Sequence, residues 1–368
     1  MAKKINSELA EQNELLKRQN ELIEQNGLLL QQQNKILQQN SQSPADTETF
    51  IENINTDEMR NGFLVTSHRK KLWNVQIGLI NEFARICKKY NLHWFAGYGT
   101  LLGAARHKGF IPWDDDVDLL MLRPDYEKFK QVAAQEIKSP YYLDIWYNYR
   151  IGDSKNSTEE AALPLIAQED VNKFIAQWPL LPFLKIRDNR TTMIEFPHRK
   201  NVNQGIWIDI FPLDPVQPFT DNKKNAVFAT AGTFILATLY AEAVSEAISN
   251  GQALPVDSDL LRKFLKLTYK ERGMYVDSLW KDFYFESQYV GQLRNSFATG
   301  KFKPYETKNF NKTVYLPFEK IEIPAPSNYE EILKTDYGDW HKMIIKCGHS
   351  LEWSVNISYN EYFKKSAL

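Results

Sequence analysis

The sequence predicts a mixed α/β (α+β) fold with a helical C-terminal part, preceded by an N-terminal coiled-coil helix. Three observations predict it. The first 43 residues carry a seven-residue apolar repeat. From about residue 66, short apolar strands are mixed with amphipathic helical stretches. The composition is aromatic-rich and charge-balanced. The 368 residues include 21 Phe, 18 Tyr and 9 Trp, enough for a sizeable core, which excludes a disordered chain, a collagen and a small disulfide scaffold. At roughly 150 residues per domain, the length suits about two domains and an extension. The 45 basic and 46 acidic residues nearly cancel, so bulk charge draws no polyanion and no nucleic-acid partner is expected, although a local basic pocket remains open. Cys87 and Cys347 sit in no metal-ligand spacing and read as thiols of a reducing compartment.

The elements follow in order. Residues 1–43 place Leu9, Leu16, Ile23, Leu30 and Leu37 in one row and Leu15, Leu22, Leu29 and Ile36 in the next. That recurrence is the signature of a coiled coil. With Leu16 at d, the a positions hold Asn6, Asn13, Asn20, Gly27 and Asn34. Buried Asn sets register at a cost in stability, and Gly27 weakens the middle by about 1 kcal/mol. The segment reads as an oligomerisation helix, against the alternative of a solvated low-complexity tail. Ser43-Pro44 breaks it, and residues 44–65 read as a polar linker. Leu72, Val75, Leu79, Phe83 and Ile86 recur at helical spacing and predict a helix ending near Tyr90-Asn91. Strands are predicted over 93–96, 117–122 and 206–211, with a helix over about 125–138. The apolar stretch 226–241 is too short and too rich in Ala and Thr for a membrane span and reads as a buried helix. A strand-and-turn region over 308–323 and a short helix over 329–337 complete the chain. The division is then 1–43 coiled coil, 44–65 linker, 66–222 core and 223–368 a mainly helical part completing it.

The densest chemical signal is Gly109-Phe110-Ile111-Pro112-Trp113-Asp114-Asp115-Asp116-Val117-Asp118. Four carboxylates so close repel one another unless a positive charge offsets them. In an extended strand alternate side chains share a face, so Asp114, Asp116 and Asp118 point one way and Asp115 the other. Three carboxylates on one edge suit a hard cation such as Mg²⁺ or Mn²⁺. The bland alternative is a solvated acidic turn. An EF-hand does not fit, since Leu119 and Asp125 stand where Gly and Glu are required.

Other residues gain meaning beside this motif. Gly97-Tyr98-Gly99-Thr100 follows a strand and opens a helical turn, so Gly99 and Thr100 can bring backbone N–H groups to a phosphate. Arg106 and His107, with Lys108, could pair with a diphosphate, or form a solvated basic turn. Asp209 sits in the apolar run Ile206-Trp207-Ile208-Asp209-Ile210-Phe211. Such a carboxylate is seldom left unpaired; it could complete a metal site, act as general base toward a hydroxyl, or be a capped core-edge Asp. Asp214 reads as a turn residue. Lys185 and Arg187, if the segment is extended, alternate onto one face and offer two cations to phosphate oxygens, or form an ordinary strand-surface pair. Together these parts describe metal-assisted transfer at a nucleoside diphosphate.

These residues resemble a known family. The block 99–118, Tyr126-Glu127-Lys128-Phe129, Lys185-Ile186-Arg187, Ile208-Asp209-Ile210-Phe211-Pro212-Leu213-Asp214 and Tyr337-Gly338-Asp339-Trp340 look like the LicD family of phosphocholine transferases, whose acidic motif the fukutin-related proteins share. The resemblance covers about residues 66–345. It implies a nucleotidyltransferase-like mixed β-sheet core flanked by helices. It also implies a Mg²⁺-dependent (or Mn²⁺-dependent) transferase that takes a phospho-alcohol from a CDP-alcohol, CDP-choline favoured, to a glycan hydroxyl and releases CMP. By that resemblance Asp116 and Asp118 match the metal-binding pair, Asp114 is an additional ligand, and Asp209 is the third carboxylate and candidate base. Residues 225–300 carry no matching motif. Choline would favour an aromatic cage, for which Trp94, Tyr98, Trp113, Trp146, Tyr149 and Trp207 are available, though aromatics at such spacings also serve as core.

Two further readings stand beside the transferase: a sugar-nucleotide glycosyltransferase using Asp116-Val117-Asp118 as its DxD, and a non-catalytic coiled-coil scaffold holding a structural ion. No apolar h-region follows Met1-Ala2-Lys3-Lys4, so a cytoplasmic homo-oligomer is expected, working at most at the inner face of the membrane, where it would meet a lipid-linked glycan.

Overall fold

The structure, a computed structural model, describes residues 49–145, 183–195, 203–216, 230, 232–238, 241–282, 287–292, 304–345 and 351–366. The heptad segment 1–43, Trp146 and Tyr149 lie outside the described residues. The chain from Thr49 onward forms one unit.

The first element corrects a sequence expectation. Residues 49–65 were expected within a linker, yet β1 (Glu58–Arg60) and β2 (Phe63–Val65) form an antiparallel hairpin with Arg60 opposite Phe63. The turn between them is Asn61-Gly62, at φ 53° and 77°. This is the two-residue turn whose positive φ values match the twist of a hairpin. Ile51 and Val65 are fully buried, so this segment is stitched into the core. Lys70, also fully buried, pairs with Glu58 at 3.1 Å.

Helix α1 (Ser67–Lys89) follows. Thr66 caps it by accepting from the Arg69 N–H, and Lys88 and Lys89 close its last turn, where cations suit the helix dipole. Its apolar stripe, including Leu72, Trp73, Ile77, Ile80, Phe83 and Ile86, is buried. Each such side chain contributes about 1.5–3 kcal/mol on leaving water. β3 (Phe95–Ala96), α2 (Tyr98–His107), β4 (Asp118–Leu122), α3 (Arg123–Glu136), β5 (Tyr141–Ile145), β6 (Leu184–Asp188), β7 (Thr192–Ile194) and β8 (Ile206–Val216) come next.

Among the described residues, β8 is the centre of a seven-stranded mixed sheet. β4 runs parallel to it on one edge, with Asp118 opposite Asp209. β6 runs antiparallel on the other, with Lys185 opposite Asp209. β3 extends the sheet beyond β4, and β5 beyond β6. Ile186, Ile208 and Ile210 alternate with the site residues and are fully buried, and α1 and α3 pack against these strands. The opposite face therefore carries Lys185, Arg187, Trp207, Asp209 and Asp118. β8 runs five residues past its expected end at Phe211. Asp214, expected in a turn, is buried in this extension and receives both Nε and Nη2 of Arg123, at 2.6 and 2.9 Å.

The C-terminal part is α4 (Ala241–Ser249), α5 (Ser258–Leu265), α6 (Tyr269–Asp282), β9 (Tyr289–Gly291), β10 (Tyr305–Glu306), β11 (Thr313–Phe318), β12 (Ile321–Pro326), α7 (Tyr329–Tyr337), β13 (Glu352–Ser354) and α8 (Tyr359–Ser366). Phe234, Ile235, Val244, Leu261, Phe264 and Val276 make a second, helical core, and the described portion of 226–241 contributes the buried helical residues expected there. Phe310, Phe318, Ile323 and Leu333 instead join the main core. No helix among the described residues is long and apolar enough to cross a membrane.

Candidate active site

The acidic segment is built as a loop rather than a strand. Pro112 and Trp113 turn, the Asp114 N–H returns to the Ile111 carbonyl at 2.9 Å, and β4 begins only at Asp118. The turn changes which carboxylates meet. Asp114, Asp115 and Asp116 each offer an oxygen, and these lie within 4.8 Å of one another. Asp115, which strict alternation sends to the other face, thus joins the cluster while being fully buried. Burial, then the Asp116 carboxylate, hold Asp114 well above the usual carboxylate range. That is what crowded carboxyl groups do when no cation separates them.

Residues of α1 that carried no signal in the sequence hold this loop by its carbonyls. Arg69 Nη1 donates to the Asp114 oxygen at 2.7 Å, Trp73 Nε1 to the same oxygen at 3.1 Å, and Gln76 Nε2 to the Asp115 oxygen at 2.8 Å. On the other side Glu319, at the turn between β11 and β12, accepts from Arg60 Nη1 at 2.7 Å and from the Phe110 N–H at 3.2 Å. The loop is clamped at both ends, so its side chains are aimed before any ligand arrives.

The sheet supplies the rest. Asp118 and Asp209 stand opposite on adjacent parallel strands, and the Asp209 N–H donates to the Val117 carbonyl at 2.8 Å. Lys185 Nζ lies 3.4 Å from Asp209 Oδ1 and 2.7 Å from Glu195 Oε1, and 4.2 Å from the centre of the Trp207 ring. A row of Asp118, Asp209 and Lys185 thus crosses three strands, joining residues about 90 apart in the chain.

Gly99 lies where the sequence placed it. A Cβ there would stand 2.7 Å from Asp114 Oδ2, so the first turn of α2 approaches the carboxylate as only glycine allows. Other expected phosphate ligands are placed differently. Thr100 is buried and its hydroxyl accepts from the Asp118 N–H at 2.8 Å, so it positions β4. Arg187 is a correction. It is fully buried, with Nε 2.5 Å from Asp144, Nη2 2.9 Å from Glu195 and Nη1 on the Gly205 carbonyl. A guanidinium so enclosed holds Glu195 and does not reach a diphosphate. Arg106 donates to the carbonyls of Trp340 and Lys342, both at 3.0 Å, and to His107 Nε2. Burial, with Arg106 and Arg60 nearby, pushes His107 down to about 4, so its ring is neutral and offers no charge to a phosphate at neutral pH.

Of the described aromatics, Trp94, Trp113 and Trp207 are buried. Tyr98 is half-buried, packs edge-on to Phe211 and donates to Gln292 Oε1 at 2.6 Å. Tyr337, at the end of α7, is 43% exposed. Partial burial, followed by the charges of Asp336 and the acidic segment, pushes its phenol up.

Comparison with known proteins agrees with the geometry. Residues 91–222 match the LicD/FKTN/FKRP nucleotidyltransferase domain. The chain is 26% identical over 271 residues to the lipopolysaccharide cholinephosphotransferase LicD of Haemophilus influenzae, covering 73% of this chain and 89% of that protein. An uncharacterized protein of Rickettsia prowazekii is 30% identical over 98 residues, 26% of this chain and 35% of its own. One of Rickettsia typhi is 39% identical over 57 residues, 16% and 18% respectively.

Proposed function

For a chain that carries the LicD/FKTN/FKRP nucleotidyltransferase domain over residues 91–222, we propose the transfer of phosphocholine from CDP-choline to a hydroxyl of a surface glycan such as lipopolysaccharide, capsule or teichoic acid, with release of CMP. The observations that carry this reading are the Asp114–Asp116 cluster at the entrance to β4, and Asp118 and Asp209 set opposite each other on adjacent parallel strands. The likeness to a lipopolysaccharide cholinephosphotransferase supports the head group and the acceptor class.

The donor set fits a hard divalent cation. It is all carboxylate, the oxygens of Asp114, Asp115 and Asp116 lie within 4.8 Å of one another, and burial, then the Asp116 carboxylate, raises Asp114. Asp114, Asp116, Asp118 and Asp209 would hold Mg²⁺ (or Mn²⁺), with Asp115 beside them. Such an ion neutralises a diphosphate and fixes its orientation.

The chain's own groups do the rest. The acceptor oxygen attacks the phosphorus bearing choline, its bond to the CMP oxygen breaks, and CMP leaves with the electron pair. Asp209, on the central strand and 9% exposed, accepts the hydroxyl proton. Lys185 stands beside it as positive charge for the departing phosphate. Residues 5–40 make the chain a homo-oligomer, and the reaction belongs to the cytoplasm, at the inner face of the membrane where lipid-linked acceptors lie.

The test is a thermal-shift panel with Mg²⁺ against CDP-choline, CDP-ethanolamine, CDP-glycerol, CDP-ribitol and UDP-sugars. A donor at about 100 times its dissociation constant adds roughly 2.7 kcal/mol of stability. A metal-dependent shift with CDP-choline is expected, and Asp116→Ala should abolish CMP release without lowering the thermal midpoint. Shifts with UDP-sugars alone would replace this reading with a glycosyltransferase.

A further inference from the structure

The carboxylate of Glu195 has no part in the proposed reaction, yet it is bonded to Lys185. Glu195 directly follows β7, and its side chain is 9% exposed. Its N–H donates to Oε1 of the fully buried Gln204 at 3.0 Å. Its Oε2 accepts from Arg187 Nη2 at 2.9 Å, and its Oε1 accepts from Lys185 Nζ at 2.7 Å. Arg187 is itself fastened. Its Nε sits on Asp144 and its Nη1 on the Gly205 carbonyl, and the guanidinium lies 4.9 Å from the centre of the Trp207 ring. One oxygen of Glu195 is thus anchored, and the other is presented to the lysine.

The distances around Lys185 show what this anchor does. A charge-assisted hydrogen bond from an ammonium to a carboxylate is about 2.7–2.9 Å long. The bond to Glu195 meets that length at 2.7 Å, whereas Asp209 Oδ1 stands 3.4 Å from the same nitrogen. A lysine head is a point charge on a flexible stem. Strand register sets Lys185 opposite Asp209, so an unanchored ammonium would close on that carboxylate. Closure would occupy the proton acceptor and bind up the positive charge meant for the phosphate. Glu195 pulls from the other side and prevents it. The Trp207 ring, 4.2 Å from Nζ, completes the seat. The fold alone does not require this arrangement, because a buried ion pair often contributes no more than apolar residues of similar volume.

We propose that Glu195 is a positioning residue. Anchored by Arg187, it holds the Lys185 ammonium at ion-pair rather than hydrogen-bond distance from Asp209, and so keeps it ready to donate to a phosphate oxygen of the nucleoside diphosphate donor. An ammonium carries three N–H donors, so the bond to Glu195 leaves capacity for the phosphate. The inference rests on the phosphotransferase reading, which gives Lys185 and Asp209 their roles.

The experiment measures Mg²⁺-supported CMP release from CDP-choline, with the thermal midpoint, for full-length wild type, Glu195→Gln, Lys185→Met, the two combined, and Asp144→Asn. Glu195→Gln should lower kcat by about 10- to 100-fold, the usual loss when the partner that orients a site residue is removed. The loss should fall on kcat rather than KM, because charge builds on the departing phosphate only in the transition state. In the Lys185→Met background, Glu195→Gln should cost no further kcat, because its effect passes through the lysine. Asp144→Asn weakens the far end of the same network, and should lower the thermal midpoint while keeping the wild-type kcat. Glu195→Asp, which keeps the charge on a shorter arm, carries the same comparison should Glu195→Gln fail to fold. A wild-type kcat in Glu195→Gln, losses that multiply in the combined variant, or an equal kcat loss in Asp144→Asn each overturn the inference while leaving the phosphotransferase intact. Wild-type protein that releases no CMP from CDP-choline overturns that reading, and this inference falls with it.

Discussion

Replacing Gly99 by Ala adds one methyl group to the first turn of α2, and the structure separates its effect on stability from its effect on the site. The new Cβ would stand 2.7 Å from Asp114 Oδ2. A non-bonded pair rests near roughly 3.5 Å, so the carboxylate must retreat by about 0.8 Å. The obstacle is the tip of a side chain rather than backbone, so the retreat costs the fold little. Ala is also favoured over Gly inside a helix by up to about 1 kcal/mol. A metal ligand has no such latitude, since bond lengths to a divalent ion hold to about ±0.2 Å. Gly99→Ala should therefore keep or raise the thermal midpoint while weakening Mn²⁺ binding and lowering CMP release by at least about tenfold, the loss expected when an oriented ligand is disturbed. Calorimetric Mn²⁺ titration, thermal melting and turnover of the same preparation read all three. Gly103→Ala is the contrast. Its Cβ would meet the Gly109 carbonyl at 2.4 Å and the Ile111 nitrogen at 3.3 Å, both backbone, so it should lose about 1–3 kcal/mol of stability. Wild-type Mn²⁺ affinity and turnover in Gly99→Ala would refute the assignment of Asp114 to the metal site.

Further outcomes are expected. Arg187→Met should destabilise the chain by about 3–5 kcal/mol in urea unfolding, because it strips the guanidinium from buried Asp144 and Glu195; an unchanged midpoint would show those carboxylates to be compensated otherwise. His107 is held neutral, from an ordinary 6.5 down to about 4, so the unfolded chain binds the extra proton. Stability should fall as pH drops from 6.5 toward 4, by about 1–2 kcal/mol after allowance for its partial exposure, and His107→Gln should flatten that slope; an unaltered slope would assign the loss to other groups. Removing residues 1–43 should reduce the solution mass to that of a smaller assembly, and light scattering that finds the same subunit number would sink the coiled-coil assignment.

Much of the fold was legible because short-range patterns carry it. The helices over 67–89 and 329–337, the strand over 118–122 and the start of the strand at 206 follow from apolar patterns that a stretch of chain displays locally. The hairpin over 58–65 was missed, although Asn61-Gly62 is its signal. The polar residues around that turn read as a linker, and it is Ile51 and Val65, buried against distant residues, that make the segment part of the core. The extension of β8 was hidden by Pro212 and Pro215, which lack an N–H and usually end a strand. Here pairing with β4 and β9 continues through them.

The amino-acid sequence by itself put the chemistry on offer: an acidic run leading into a strand, a glycine upstream of it and a carboxylate in another apolar strand, groups of the kind that hold a divalent ion beside a diphosphate. Only the tertiary structure decided which charges serve that chemistry. Arg187 and Lys185 are equivalent as sequence, two residues apart on one strand face, and both are buried against Glu195, yet Arg187 is further enclosed by Asp144 while Lys185 also reaches Asp209. Asp118 and Asp209, about 90 residues apart in the chain, stand opposite each other on adjacent strands. The physical reason is that local periodicity is set by backbone geometry within a few residues. Desolvation and ion pairing are set by strand register and helix packing between segments far apart in the chain.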